Sequence, residues 1–242
     1  MTNRNPEPLG TLIDTAMIHD AVRIERCVTQ QGGIDAPSGE SYFVRLAGST
    51  PVIVTAPHAT EILREGQYRF SDGGGTAALA HMLHRLGGAT VIYTQYRSPS
   101  DANYCDDNDF KRTLAGLIEA SPPALLLDIH ASHDYRPYDV DIGTMHGESL
   151  LGHVDLLSTL VSDLQQEGIL NLSHDFFGAT RAATVTHFTS KLSVPAIQLE
   201  ISSTWLRPSE GGLMAHRFAQ MLQALSRYVR HFSRLPEPVL PR

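Results

Sequence analysis

Three stretches of this chain are almost wholly apolar: "PVIVTAP" at 51–57, "ALLLDIH" at 124–130 and "VPAIQLEIS" at 194–202. Runs of this length, rich in β-branched residues, predict strands, and unbroken apolarity predicts burial on both faces, as in the middle of a parallel sheet. "YFVRLAG" at 42–48 precedes the first run across a "GST" turn, which predicts a hairpin-like or neighbouring pair. "TVIYTQY" and "DVDIGTM" are two further strands. Between them the period changes. Leu79, Met82, Leu83 and Leu86 fall at i, i+3, i+4 and i+7 and predict a helix closed by the glycines at 87 and 88. "FKRTLAGLIEA" is a second helix, stopped before "SPP". Leu150, Val154, Leu157, Val161 and Leu164 mark a third over 149–167, and Met214 to Val229 a long C-terminal one.

Strands alternating with helices indicate an α/β fold with a largely parallel sheet. No internal repeat or linker interrupts it, so residues 1–242 are expected to form a single domain. Residues 1–36 are an N-terminal attachment with one short helix, and 235–242, "LPEPVLPR", form a proline-rich tail.

Composition narrows the function. Lys and Arg number 19 against 26 Asp and Glu, a formal charge of −7, and no basic run offsets it. Nucleic acid is therefore a poor partner, since its affinity rests on phosphate neutralisation. No apolar run approaches a bilayer span, and "MTNRNPEPLG" lacks a signal-peptide core, so a cytoplasmic protein without membrane attachment is expected. The two cysteines make no disulfide framework or metal-type pair. The sequence sets no oligomeric state. Twelve histidines raise the question of a metal.

In open α/β sheets ligands bind beyond the carboxyl ends of the strands. Three chemically capable groups stand there: His58 with Glu61 in "PHATE", His130 in "LLLDIHAS", and Glu200 in "IQLEIS". Two histidines and one carboxylate form a common catalytic zinc set, so His58, Glu61 and His130 are the candidate ligands for one Zn2+ per chain. A carboxylate that is not a ligand serves as general base, the role that fits Glu200. Asp128, two residues before His130 and on the same strand face, suits an imidazole-orienting partner. Each piece alone has a bland explanation; their joint occurrence at the ends of very apolar strands is what favours a site.

"PHATE", "LLLDIHAS", "DVDIGT" and "AIQLEIS", in this order over roughly residues 40–205, resemble the N-formylglutamate amidohydrolase family. That family is itself similar to zinc carboxypeptidases and to the succinylglutamate desuccinylase and aspartoacylase group. The resemblance implies a three-layer α/β sandwich of the phosphorylase/hydrolase type with a mixed, largely parallel sheet. It implies the same three ligands, Glu200 as base, and hydrolysis of a linear amide in a small-molecule substrate such as an N-acyl amino acid. Two positions depart from the family. Its Asp-x-Asn-Arg is here Asp101, Ala102, Asn103 and Tyr104, and its Gly-Gly-x-Ile-Thr-Arg ends here at Thr186 and His187. With both arginines gone, the resemblance leaves Asn103 and His187 in substrate-binding positions. Arg97, Arg136 and Arg181 are the cations available to replace the arginines. His133, three residues past His130, is a further pocket-lining candidate. His81 and His84, off the apolar stripe of their helix, are expected to be solvated. The competing readings are a carboxypeptidase-like metallopeptidase, which needs a clear cation for a terminal carboxylate, and a non-catalytic binding protein retaining the fold.

Overall fold

The computed structural model describes residues 13–180 and 183–234. Seven strands form one sheet: β1 (Phe43–Leu46), β2 (Val52–Ala56), β5 (Thr90–Thr94), β6 (Leu125–Ser132), β7 (Val140–Gly143), β8 (Leu172–His174) and β9 (Ala196–Ser202), in the order β1-β5-β2-β6-β9-β7-β8. β5, β2, β6 and β9 run parallel, as do β7 and β8; β1 is antiparallel to β5 and β7 to β9. The sheet is thus mixed and largely parallel, with the three apolar runs at its centre.

Alternation along the central strands assigns the two faces. Val52, Val54, Leu125, Leu127, Ile129, Ile197, Leu199 and Ile201 join a core with α2 (Gly74–Gly87), α4 (Val154–Gln166) and α6 (Gly212–His231). Ile53, Ile92, Leu126 and Ala196 point the other way, onto α3 (Asp109–Ala120) and α5 (Val185–Lys191). Helices therefore cover both faces, giving the three-layer α/β sandwich that the motifs imply. The parity matters beyond packing. Asp128, His130, Gln198 and Glu200 share the face of Leu126 and Ala196, so the sheet turns polar toward its carboxyl end on that face.

The pairing expected between β1 and β2 does not form, because β5 lies between them. The connection is pinned away from a hairpin path: Ser49 and Thr50 N–H both donate to the Gly88 carbonyl, at 2.7 and 3.0 Å. A Cβ on Gly48 would stand 2.1 Å from that oxygen, so only glycine permits the approach. The half-exposed β1 is left as an edge, while β2, buried at every position, takes a central place.

Other elements also differ from expectation. The helix expected over 149–167 begins only at Val154. A short 3-10 turn over Glu148–Leu150 precedes it, and positive φ at Leu151 and Gly152 breaks the run. The helix near the N-terminus, α1 (Thr15–Gln31), has 17 residues, with Asp14 as its N-cap, and packs on α2 with Ala21 and Val28 buried. The polar stretch after His58 holds a hairpin of β3 (Ile62–Arg64) and β4 (Gln67–Arg69), turned at Glu65 and Gly66, both with positive φ. Among the described residues no helix is long and apolar enough to cross a membrane.

Candidate metal centre

His130 lies within β6, in register with Glu200 of β9. His58 follows β2 by two residues, in the turn toward β3. Asp72, in the segment between β4 and α2, donates its backbone N–H to the His58 carbonyl at 2.7 Å, which draws that segment over the sheet end. The result is a cluster in which one donor atom each from His58, Asp72 and His130 lies within 4.8 Å of the others. The two imidazoles meet edge to face, with ring centroids 4.8 Å apart.

The remaining ring nitrogens are tethered. Nε2 of His58 lies 2.8 Å from Oδ1 of Asp101, a fully buried residue whose other oxygen takes the Arg64 guanidinium, with Nε at 2.7 Å. Nε2 of His130 lies 3.1 Å from Oδ2 of Asp128, whose Oδ1 accepts from the Thr55 hydroxyl at 2.7 Å. Each Nε2 thus lies within hydrogen-bond distance of a carboxylate, and each Nδ1 faces Asp72. The distances to its Oδ2 are 3.0 Å from His130 and 3.9 Å from His58. Carboxylates holding the outer nitrogens of two imidazoles is the arrangement that fixes metal-ligand tautomers.

Electrostatics point the same way. Burial opposes a charge on His130, but Asp128 and Asp72 outweigh it and hold the imidazole well above its ordinary value. Burial likewise opposes ionisation of Asp101, yet hydrogen bonds from His58, Arg64 and the Asn103 N–H keep its carboxyl well below the usual range. Glu200 is pushed up to about 7 by burial and by Asp72, Asp128 and Asp141, partly offset by His130. A buried group of acids that favours positive charge at its centre, with two imidazole Nδ1 atoms and one carboxylate oxygen facing each other, fits a divalent cation of the zinc class.

Two of the three expected ligands, His58 and His130, are in this cluster. Glu61 lies outside it, and the third member is Asp72. The backbone from 57 to 60 is a turn rather than a helix, so a spacing of three does not stack the side chains. Glu61 N–H donates to Gly32 O at 3.0 Å and Glu61 O accepts from Ser98 N–H at 2.7 Å. Its carboxylate lies beside Gly33, where a Cβ would be 3.5 Å from Oε1.

Of the expected substrate-binding residues, Asn103 reaches the site. Its Oδ1 accepts from Val185 N–H at 2.7 Å and its Nδ2 lies 2.9 Å from Nε2 of His130. His133 is exposed, stacked on Tyr135 at 5.0 Å, and lines a cavity of ≈ 400 Å³ together with Asp72, Gly73 and Ser132. His187 lies on α5 with a buried, unpartnered Nδ1. Arg97 is committed to Asp35 through two hydrogen bonds of 2.6 and 2.8 Å. Arg136 sits among aromatic rings near the end of β6, and Arg181 lies outside the described residues. His81 and His84 are half-buried rather than solvated: His81 Nδ1 lies 2.9 Å from the Tyr93 hydroxyl and His84 Nδ1 2.9 Å from the Ala89 carbonyl. Asp72 and Arg64 escaped the sequence reading, and Asp101 entered it only as the start of the altered Asp-x-Asn-Arg motif, without a role. The glycines after Asp72 in "SDGGG" were the one available signal, a close turn into a helix.

No family model and no curated protein matches the sequence. Solved structures do share the fold. An N-formylglutamate amidohydrolase from Ralstonia eutropha JMP134 is 14% identical, with a TM-score of 0.50, over 78% of this chain and 98% of its own. A gene product of Agrobacterium tumefaciens is 11% identical, with a TM-score of 0.52, over 78% and 95%. A metallo-carboxypeptidase from Burkholderia cenocepacia is 14% identical, with a TM-score of 0.50, over 90% and 68%. The neighbours thus include the kinds of protein that the four motifs resemble, and what they share with this chain is the architecture.

Proposed function

We propose that this protein hydrolyses the linear amide of a small N-acyl amino acid or similar compound, using a zinc ion held by His58, Asp72 and His130. The observation that carries the reading is the meeting of those three donor atoms within 4.8 Å, one strand away from the half-buried Glu200 carboxyl. Bound there, such an ion supplies Lewis acidity, polarising the amide carbonyl and lowering the pKa of water.

The rest of the chemistry belongs to the chain. Glu200, pushed up to about 7, is basic enough to take a proton from attacking water and acidic enough to return it to the leaving nitrogen. Gln198 donates to Glu200 Oε1 at 3.0 Å, which orients the carboxyl and leaves Oε2 for the reaction. Asp101 and Asp128 keep both imidazoles turned with Nδ1 inward. Asn103, braced by Val185, closes one side of His130. The acidic surface, at a net charge of −7, keeps nucleic acid out of the proposal.

The test combines metal analysis with hydrolysis of a panel of N-acyl amino acids by wild type and Glu200→Gln. About one zinc per chain is expected in both proteins, with turnover at least about a hundredfold lower in the variant, the usual scale for a lost general base. A zinc-loaded wild type that cleaves nothing in the panel, or a variant with full turnover, rejects the proposal.

A further inference from the structure

Asp72 has a second side. It lines a cavity of ≈ 400 Å³ whose other walls come from Glu25 and Thr29 of α1, the glycines that open α2, and the segment after β9. The run "SDGGG" explains why these pieces can meet. A Cβ on Gly74 would stand 2.3 Å from the Glu25 carbonyl, and one on Gly75 would stand 1.7 Å from the Leu206 carbonyl. Only glycine lets α1 and the segment after β9 close on the start of α2. Phe70, two residues before Asp72, lines the cavity too and is fully exposed.

Glu25 is the unusual group in this wall. It is only 8% exposed, and its Oε2 accepts from Ser209 N–H at 2.8 Å, with the Ser209 hydroxyl as a second donor. Among the described residues no lysine, arginine or histidine forms an ion pair with it; Arg26, next in sequence, acts on it only through its charge. Burial raises the carboxyl above its ordinary value, and Ser209 and Arg26 offset this only in part. A buried carboxylate is costly unless a cation meets it. Arg207, in the same cavity wall, is engaged elsewhere, by Glu210 at 3.5 Å and the Ser203 hydroxyl at 3.1 Å. His133, the other basic group there, is stacked on Tyr135.

We propose that Glu25, with Thr29 and Phe70, forms an ammonium subsite, and that the substrate is an amide whose chain ends in a primary amine. The word substrate rests on the hydrolase reading above; cation binding in the cavity does not. A carboxylate accepts about four hydrogen bonds, of which Ser209 supplies two, so Glu25 keeps lone pairs for a further donor. An ammonium brings three N–H donors and the missing charge, and a bond between the two charged groups is of the strong kind. The open face of Phe70 attracts a cation and covers the carbon chain that carries it. Other ligands suit the cavity less. An anion would face Glu25 and Asp72 together. A bare divalent ion needs several protein ligands, and among the described residues the only metal-binding group of three is His58, Asp72 and His130. Because Asp72 and Glu25 line one cavity, a chain of a few carbons joins an amide at the metal centre to an ammonium at Glu25.

The experiment uses wild type, Glu25→Gln and Phe70→Ala, each checked for fold by circular dichroism. Hydrolysis of Nα-acyl lysine is compared with that of the norleucine and glutamate analogues. Binding of 1,5-diaminopentane is compared with that of 1,5-pentanediol by calorimetry. Wild type should favour lysine over norleucine at least about tenfold in kcat/KM, the scale of one charge-assisted contact. Glutamate should be the poorest of the three, and the diamine should bind more tightly than the diol. Glu25→Gln keeps an acceptor for Ser209 but no charge, so it should bring the lysine-to-norleucine ratio near one, mainly through KM, and weaken the diamine by a similar factor. A purely structural Glu25 would leave both unmoved. Phe70→Ala should lose a few-fold in each. If nothing in the panel is cleaved but the diamine binds in a Glu25-dependent way, the subsite stands and the hydrolase reading falls. A wild type that binds no diamine, or a lysine preference and diamine affinity unchanged in Glu25→Gln, would overturn the subsite.

Discussion

His58 and Glu61 are three residues apart, yet only the histidine turns toward His130. Spacing positions two side chains only when the backbone between them is regular, and here it is a turn whose next residue is claimed by Gly32 and Ser98. The carboxylate that does reach the histidines comes from Asp72, 14 positions later, carried there by the β3–β4 hairpin and tied by its own N–H to the His58 carbonyl. Glu61→Gln should therefore keep about one metal per chain, while Asp72→Ala should lose most of it on dialysis, read by elemental analysis of folded protein. Retention by Asp72→Ala together with loss by Glu61→Gln would restore the ligand set expected from sequence. At this scale His58, His130 and Glu200 were legible because each ends an apolar strand. Asp72 and Asp101 were not, since an acid in a polar loop carries no pattern of its own and becomes a partner only through the fold.

Elements were legible in proportion to their burial. β2, β6, β9, α2, α3 and α6 each put a full apolar run or stripe into the core, so periodicity finds them. β4, exposed along its length, β8, at the sheet edge, and the seven-residue α5 bury too little to leave a signal. The order of strands was not legible either, because β5 separates β1 from β2 through contacts some forty residues distant. α3 shows how a local signal also serves the site. Asn108 caps it, accepting from Lys111 N–H at 2.8 Å, and donates from Nδ2 to Cys105 O at 2.7 Å. The cap closes the loop that carries Asp101 and Asn103. The fully buried Lys111 ties it further, through Asp106 at 2.7 Å and the Ala183 carbonyl at 2.5 Å. Asn108→Ala should cost about 1 kcal/mol, the usual loss for an N-cap, seen as a lower urea midpoint with an unchanged slope. A variant as stable as wild type would mean the cap contributes nothing to this loop.

For the whole molecule, the proposed ion joins segments that the hydrophobic core leaves apart. The apolar layers hold β2 and β6 side by side, but the chain from 57 to 73 leaves the sheet, forms an exposed hairpin and returns before α2. Its first part is held by the buried Ala59, Thr60 and Ile62 and by bonds from Glu61 and Leu63 to Gly32 and Ser98, and its return by Asp72 bonded to His58 and His130, with Arg64 on Asp101. A ligand that binds only the folded state adds stability of RT ln(1 + [L]/Kd), about 2.7 kcal/mol at a hundredfold excess over Kd. Removing zinc from the loaded protein with a chelator should therefore lower Tm, and adding zinc back should restore it. The loss should not be uniform. Amide exchange should quicken first across 58–73, where the Asp72 carboxylate and two imidazoles then face each other without an ion between them, and least in β6 and β9, whose apolar faces are untouched. His130→Ala should show the lower Tm from the start and no response to chelator. Loaded protein that releases zinc with neither a fall in Tm nor faster exchange in 58–73 would place the ion somewhere other than between His58, Asp72 and His130.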